Sequence, residues 1–258
     1  MTNDHQDSLP TKLGRNLPAM LCVLLIIGTT MATAADRPNI VIILADDLGY
    51  GSLNSYGADE THIRTPNIDR LAKEGRRFTD ANTPSSVCSP TRYGLLTGRY
   101  DWRTNQKHGV VNTTDPLHID KSRSTIASLL KSAGYRAAAI GKWHLGYGTG
   151  KADFTKPLTP GPLEIGFDYH FAVPQNHGDA SGVYVRNRQV VGLRSDGNVP
   201  AGRSPYGRDY MGIDAPQRVD ENVMAELTTD AIRWLQQSKG DEPFFLYFAP
   251  VAIHFPYT

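Results

Sequence analysis

In the segment SSVCSPTRYGLLTGR, residues 85–99, a cysteine is followed four positions later by an arginine. Ser89-Pro90 reads as a helix N-cap with proline at the first helical position, and Gly98 reads as the stop. Cys88 then sits just before a helix N-terminus, where unpaired N–H groups and the helix dipole favour an anion. Arg92 returns along the same side of the first turn. The pattern suits the holding of negative charge, and it also fits a buried structural thiol beside a capped helix. Three further places offer reactive side chains: the carboxylates Asp46 and Asp47, Lys142 with His144 in GKWHLG, and His254 in PVAIHFP.

The elements before these residues account for their placing. NIVIILA (39–45) is a continuous apolar, β-branched run, expected as a strand buried on both faces, and it leads into Asp46-Asp47. YRAAAIG (135–141) is a second buried strand leading into Lys142 and His144, and PFFLYFA (243–249) is a third, followed by His254. Between them, TPNIDRLAKEG reads as a helix with Thr65 as N-cap, Pro66 first, Ile68, Leu71 and Ala72 on one face, and Gly75 as stop. STIASLLKSAG repeats the scheme with Ser124 as cap and Gly134 as stop, and VDENVMAELTTDAIRWLQQS reads as a long amphipathic helix. Alternating strands and helices predict an α/β fold with a mostly parallel central sheet and helices on both faces. Ligands of such sheets bind beyond the carboxyl ends of the strands, so parallel pairing brings two carboxylates, a lysine and two histidines to one edge. Gly- and Pro-rich loops and short strands from about 150 to 215 are expected over one end of the sheet. There VPQNHGD offers Asn176, His177 and Asp179 as pocket-lining candidates, a segment that ordinary loop polarity explains as well.

Composition narrows the class. The net charge of +1, with 21% charged residues, gives no basic excess for nucleic acid, so anion specificity must be local. Lys12 and Arg15 precede the apolar run LPAMLCVLLIIG, which ends in Ala32-Thr33-Ala34. Basic flank, short hydrophobic segment and A-x-A site are the layout of a secretory signal over residues 1–34. The apolar part is about a dozen residues, short of the roughly 20 that a spanning helix needs. The expectation is therefore a secreted or periplasmic protein with no stable membrane association after cleavage. Of two cysteines, Cys22 would leave with the signal, so Cys88 would have no intramolecular partner.

At these motifs the chain resembles the formylglycine-dependent sulfatases. CSPTRYGLLTGR is similar to their C-x-P-x-R…L-T-G-R signature, and RPNIVIILADDLGYG to their N-terminal metal strand. GYRAAAIGKWHLG is similar to their lysine–histidine motif, and PFFLYFAPVAIHFP to their later histidine segment. The likeness runs from about Arg37 to the end, is nearest to the arylsulfatase and N-acetylgalactosamine-6-sulfatase branch, and implies an alkaline-phosphatase-like fold.

The resemblance also implies roles. Cys88 would be oxidised by a maturation enzyme to formylglycine, whose hydrate is the nucleophile toward a sulfated small molecule or glycan. Asp46 and Asp47, with the residue-88 oxygen, would hold Ca²⁺, or Mg²⁺ as the alternative. Arg92 would hold the hydrate, Lys142 would bind a sulfate oxygen, and His144 would take the proton whose loss releases sulfate. His254 would serve the leaving-group oxygen.

One departure stands out. The family's remaining metal ligands, an Asp-Asn pair, and a second sulfate-binding lysine belong downstream of His254, and the sequence given ends at Thr258. The expectation is a catalytic domain, residues 35–258, present in its N-terminal portion, with Asp46 and Asp47 facing each other without full compensation. Two alternatives accompany this reading: a phosphonate monoester or phosphodiester hydrolase of the same superfamily, and a remnant that binds sulfated ligands without turnover.

Overall fold

The computed structural model describes residues 37–179, 181–203, 209–238, 240 and 242–255; the expected signal sequence, 1–34, lies outside them. Its strands are β1 (Ile40–Ile43), β2 (Arg136–Lys142), β3 (Tyr169–Val173), β4 (Val185–Arg186), β5 (Gln189–Val190), β6 (Asn198–Arg203), β7 (Asp209–Ile213) and β8 (Phe244–Ala249). The helices are α1 (Pro66–Glu74), α2 (Cys88–Thr97), α3 (Ile126–Ser132) and α4 (Val223–Gln237). Among the described residues, one sheet runs in the order β1-β8-β2-β3-β4-β5, and β6 and β7 form a separate antiparallel hairpin. β1, β8, β2 and β3 are mutually parallel, and β4 and β5 continue the sheet in antiparallel sense.

Alternation along the central strands divides the core between the two faces of the sheet. Ala137 and Ala139 of β2, with Phe245 and Tyr247 of β8, pack on one side with Tyr93 and Leu96 of α2 and Ala127 of α3. Ala138 and Ile140, with Leu246, pack on the other side against Val223, Leu227, Ala231 and Trp234 of α4. These four α4 residues recur at 3.6-residue spacing, as the amphipathic pattern requires. The expected α/β sheet with helices on both faces is therefore present.

Four local expectations need correction. β1 is buried on one face only: Ile40 and Ile42 join the core, whereas Val41 and Ile43 are 47% and 64% exposed. A β-branched run reports strand propensity, but β1 lies at the border of the described sheet, beyond the cover of α4. Likewise Ile68 and Leu71 of α1 remain 45% and 67% exposed. In α3 the cap is Thr125 in place of Ser124, because a reciprocal capping box with Ser128 satisfies two end groups at once. In α2 the helix begins at Cys88 with Val87 as N-cap, so Ser89 lies inside it and does not cap it.

The remaining fold detail concerns how the sheet delivers its ends. Gly141 has φ +120°, and a Cβ there would lie 2.0 Å from the Ala249 carbonyl oxygen. Only glycine lets β2 and β8 close at this point, one residue before Lys142. Beyond the strands, Leu44 N–H donates to Phe248 O, Asp46 N–H to Ala252 O, and Ile253 N–H to Asp46 O. Trp143 and His144 N–H groups donate to Val173 O and Pro174 O, stitching the loop after β2 to that after β3.

Candidate active site

Asp46 and His254 follow β1 and β8, Lys142 is the last residue of β2 between them and β3, and Cys88 and Arg92 come from the first turns of α2. Asp46 is 5% exposed. Its Oδ2 accepts from Lys142 Nζ at 2.6 Å, and its Oδ1 lies 3.4 Å from Arg92 Nη2 and 3.6 Å from Cys88 Sγ. Lys142 Nζ also reaches Cys88 Sγ at 3.1 Å. Burial alone would raise the Asp46 pKa, but the charges of Arg92 and Lys142 outweigh it and hold the carboxyl below its usual range. Arg92, 1% exposed, is fixed by donation to Lys142 O at 2.8 Å and to Tyr247 Oη at 3.4 Å. Asp46, Asp47, Cys88 and Arg92 line one cavity of about 190 Å³.

The expected confrontation of Asp46 with Asp47 does not occur. Asp46 turns inward to two cations, while Asp47 has φ 59° and a side chain 58% exposed. Left-handed backbone is uncommon outside glycine, and here it separates adjacent carboxylates. His254 lies 3.7 Å from Asp47 through Nε2 and shares its Nδ1 with Phe255 O. Ligand atoms of Asp46, Cys88 and His254 all lie within 4.8 Å of one another.

His144 is the second left-handed residue of the site, with φ 57°, and it is 2% exposed. Burial, then the charges of Lys142 and Arg92, push its pKa down to about 3, so the imidazole is neutral. Neither ring nitrogen has a hydrogen-bond partner of good geometry. Its backbone carbonyl is held by Ser89 Oγ at 2.8 Å, and the same hydroxyl accepts from Val111 N–H at 3.0 Å. Ser89 thus exchanges the expected local cap for a bridge across 55 residues. Sequence reasoning missed this bridge and also Tyr247; a tyrosine inside a buried apolar strand is the signal that its hydroxyl needs a partner.

The candidates in VPQNHGD fall elsewhere. Asp179 Oδ1 accepts from Ser181 N–H at 2.8 Å and pairs with Arg218 at 3.3 Å, and Oδ2 accepts from Gln175 N–H at 3.0 Å. Arg218 also donates to Val183 O and His177 O. This is a buried knot that shapes the loop, with His177 2% exposed, and none of Asn176, His177 and Asp179 lines the Cys88 cavity.

The donor chemistry bears on the cofactors. Cys88 Sγ faces an ammonium and a carboxylate, whereas an inert structural thiol packs against carbon. That environment fits a polar, oxygen-bearing side chain at position 88. For a divalent cation the fit is one of kind: two carboxylates open into the cavity, against the six to eight oxygens that Ca²⁺ takes.

The parallel sheet thus gathers two buried cations, a carboxylate and a candidate nucleophile at its carboxyl edge. The chain belongs to the sulfatase family, whose sequence profile matches residues 38–258. It is 35% identical to the N-acetylgalactosamine-6-O-sulfatase of Bacteroides thetaiotaomicron, covering 95% of this chain and 55% of that protein. It is also 35% identical to the N-acetylgalactosamine-6-sulfatase of Mus musculus, covering 92% and 44%. A solved Bacteroides thetaiotaomicron structure, described for the metabolism of multiple glycosaminoglycans, superposes with a TM-score of 0.78 at 34% identity, covering 86% of this chain and 52% of that one. The fold is accordingly the alkaline-phosphatase-like α/β fold of the sulfatases. Family members are sulfuric ester hydrolases that generally use formylglycine and a divalent metal. The chain spans about half the length of the curated relatives it matches.

Proposed function

We propose that this chain carries the nucleophile half of a sulfatase that hydrolyses sulfate esters of a sulfated glycan. The observation that carries the reading is the contact set of Asp46, Cys88, Arg92 and Lys142 at one sheet edge. Relatives named for N-acetylgalactosamine 6-sulfate support a sulfated amino sugar as substrate class.

In this reading Cys88 is converted by a maturation enzyme: an external two-electron oxidant such as O₂ takes the CH₂–SH side chain to a thioaldehyde, and water then replaces its sulfur, which leaves as H₂S. The resulting formylglycine supplies an oxygen nucleophile, and a divalent cation, Ca²⁺ or Mg²⁺, supplies charge stabilisation of the sulfate oxygens. Asp46, Asp47 and residue 88 would hold that cation. Lys142, 3.1 Å from the residue-88 side chain, is placed to bind both it and a sulfate oxygen. Arg92, one turn on from residue 88, pairs with Asp46 and helps keep it ionised, and would hold the hydrate formed at position 88. Neutral His144, whose ring nitrogens make no hydrogen bond of good geometry, is available as the base. His254 stands on the Asp47 side of the cavity, where it can donate to a departing alkoxide.

Export follows from residues 1–34 as a cleaved secretory signal, giving a secreted or periplasmic enzyme; N-terminal sequencing of the mature protein should begin at Ala35. Among the described residues, no helix is long and apolar enough to cross a membrane. The central test is mass spectrometry of the residue-88 peptide together with turnover of nitrophenyl sulfate and of the matching phosphodiester. An aldehyde mass with sulfate-selective hydrolysis is expected. Unmodified thiol in an active preparation, or preference for the phosphodiester, would overturn the reading.

A further inference from the structure

A second polar cavity, of about 590 Å³, shares no lining residue with the cavity around Cys88. Arg99, Arg103 and Arg123 all line it. Among the described residues none of the three has a carboxylate within ion-pair distance. Arg99 Nε is buried without a hydrogen-bond partner, and its Nη2 reaches only Arg103 O, at 3.5 Å. Arg103 lies over the Trp102 ring at 5.2 Å.

Two carboxylates stand on the same wall, and Asp120 feels the charge of Arg123, so the formal balance is three cations against two anions. Asp115 Oδ2 accepts from Asn112 N–H at 2.7 Å and from its side-chain amide at 2.9 Å. Asp120 Oδ1 accepts from Ser122 N–H and Oγ, both at 2.8 Å. His118 is engaged with Asp101 at 2.6 Å. Three guanidinium groups around one open polar space leave an excess of positive charge, and an oxyanion that takes their forked donors offsets it. Elsewhere in the protein comparable arginines are paired: Arg92 with Asp46, Arg218 with Asp179, Arg188 with Glu164.

We propose that this cavity is a second anion-binding site, for a sulfate or carboxylate group carried by a polyanionic glycan. Arg99 follows the carboxyl end of α2, and Cys88 is the first residue of that helix. Ten residues at 1.5 Å each put about 15 Å between the two sites, a distance that an oligosaccharide bridges and a single sugar ring does not. The glycan source of the anion rests on the sulfated-glycan reading above; the anion chemistry does not.

The test is calorimetric binding of a chondroitin 6-sulfate octasaccharide, and separately of inorganic sulfate, to the protein and to an Arg103→Gln/Arg123→Gln variant. Loss of two charge-assisted contacts should weaken octasaccharide binding about tenfold, with kcat/KM for nitrophenyl sulfate unchanged. Arg103→Lys/Arg123→Lys should recover most of the affinity. Displacement of the octasaccharide by inorganic sulfate in the protein, but not in the glutamine variant, would extend the site to free anions and supports it. Equal affinity of protein and glutamine variant overturns the proposal. So does a lysine variant as weak as the glutamine one, since charge would then not be what binds. An unconverted Cys88 and inert nitrophenyl sulfate would refute the enzymatic reading while leaving the arginine-dependent binding measurable.

Discussion

Two buried histidines share a depressed pKa of about 3, and their surroundings predict opposite roles. His170 is 1% exposed; its Nδ1 donates to Ala139 O at 3.1 Å, so its Nε2 accepts from the Tyr147 hydroxyl at 2.9 Å. Every polar atom of that ring is satisfied in the neutral tautomer, and burial alone opposes protonation. The unfolded chain restores His170 to about 6.5, so below that pH the unfolded state binds a proton that the folded state refuses. Stability is therefore complete above pH 6.5 and falls as pH drops toward 3. Moving from pH 7.5 to pH 5 crosses 1.5 pH units of that window at about 1.4 kcal/mol each, a loss of about 2 kcal/mol from this one group. His170→Gln keeps a donor and an acceptor without a titration, and should cost no more than about 1 to 2 kcal/mol at pH 7.5. Urea unfolding at the two pH values should show the variant losing about 2 kcal/mol less than the parent on acidification. Every other group, His144 included, is common to both proteins and cancels. Equal losses in the two proteins would refute the claim that His170 is held neutral.

Other consequences are equally direct. His144→Ala should leave radiolabelled sulfate retained on the protein after one turnover, while His254→Ala should slow ester cleavage most for poor leaving groups; equal losses across a leaving-group series contradict that division. Ser89→Ala removes the bridge between His144 O and Val111 N–H, and should cost about 1 to 3 kcal/mol in thermal unfolding and lower kcat. Gly141→Ala must part β2 from β8 and adopt strained backbone, a cost of roughly 3 to 5 kcal/mol, visible as a lower Tm or insoluble protein.

The sheet and the convergence of its strand ends were legible because continuous apolar runs, their alternation with helices and the carboxyl-edge rule are all local or topological. Cys88 and Arg92 were legible together because four residues make one helical turn. Ser89 was not: Ser-Pro reads as a local cap, and only the tertiary fold offers its hydroxyl two better partners far along the chain. The bare face of β1 escaped for a related reason, since apolar composition does not say where in a sheet a strand will lie. Nor does sequence separate His144 from His170. Both follow or occupy buried strands, and the difference lies in whether the ring nitrogens meet partners.

The charge arrangement explains why these residues need what the family supplies. Two carboxylates and two cations cancel in the immediate site, and Asp46 spends its charge on Lys142 and Arg92. A sulfate ester approaching this pocket meets fixed donors and no net attraction. A divalent cation bound between Asp46, Asp47 and residue 88 would turn the same pocket net positive, where in a partly buried site each charge interacts more strongly than in water. It would also compete for Asp46 with Lys142, freeing the ammonium for a sulfate oxygen. Anion affinity should therefore rise with bound Ca²⁺ or Mg²⁺, and inorganic sulfate titrated against the chelated and the metal-loaded protein measures it. Lys142→Met should weaken sulfate binding in the metal-loaded form, because the freed ammonium is then missing. Equal sulfate affinity with and without metal would mean that Lys142 and Arg92 alone make the anion site.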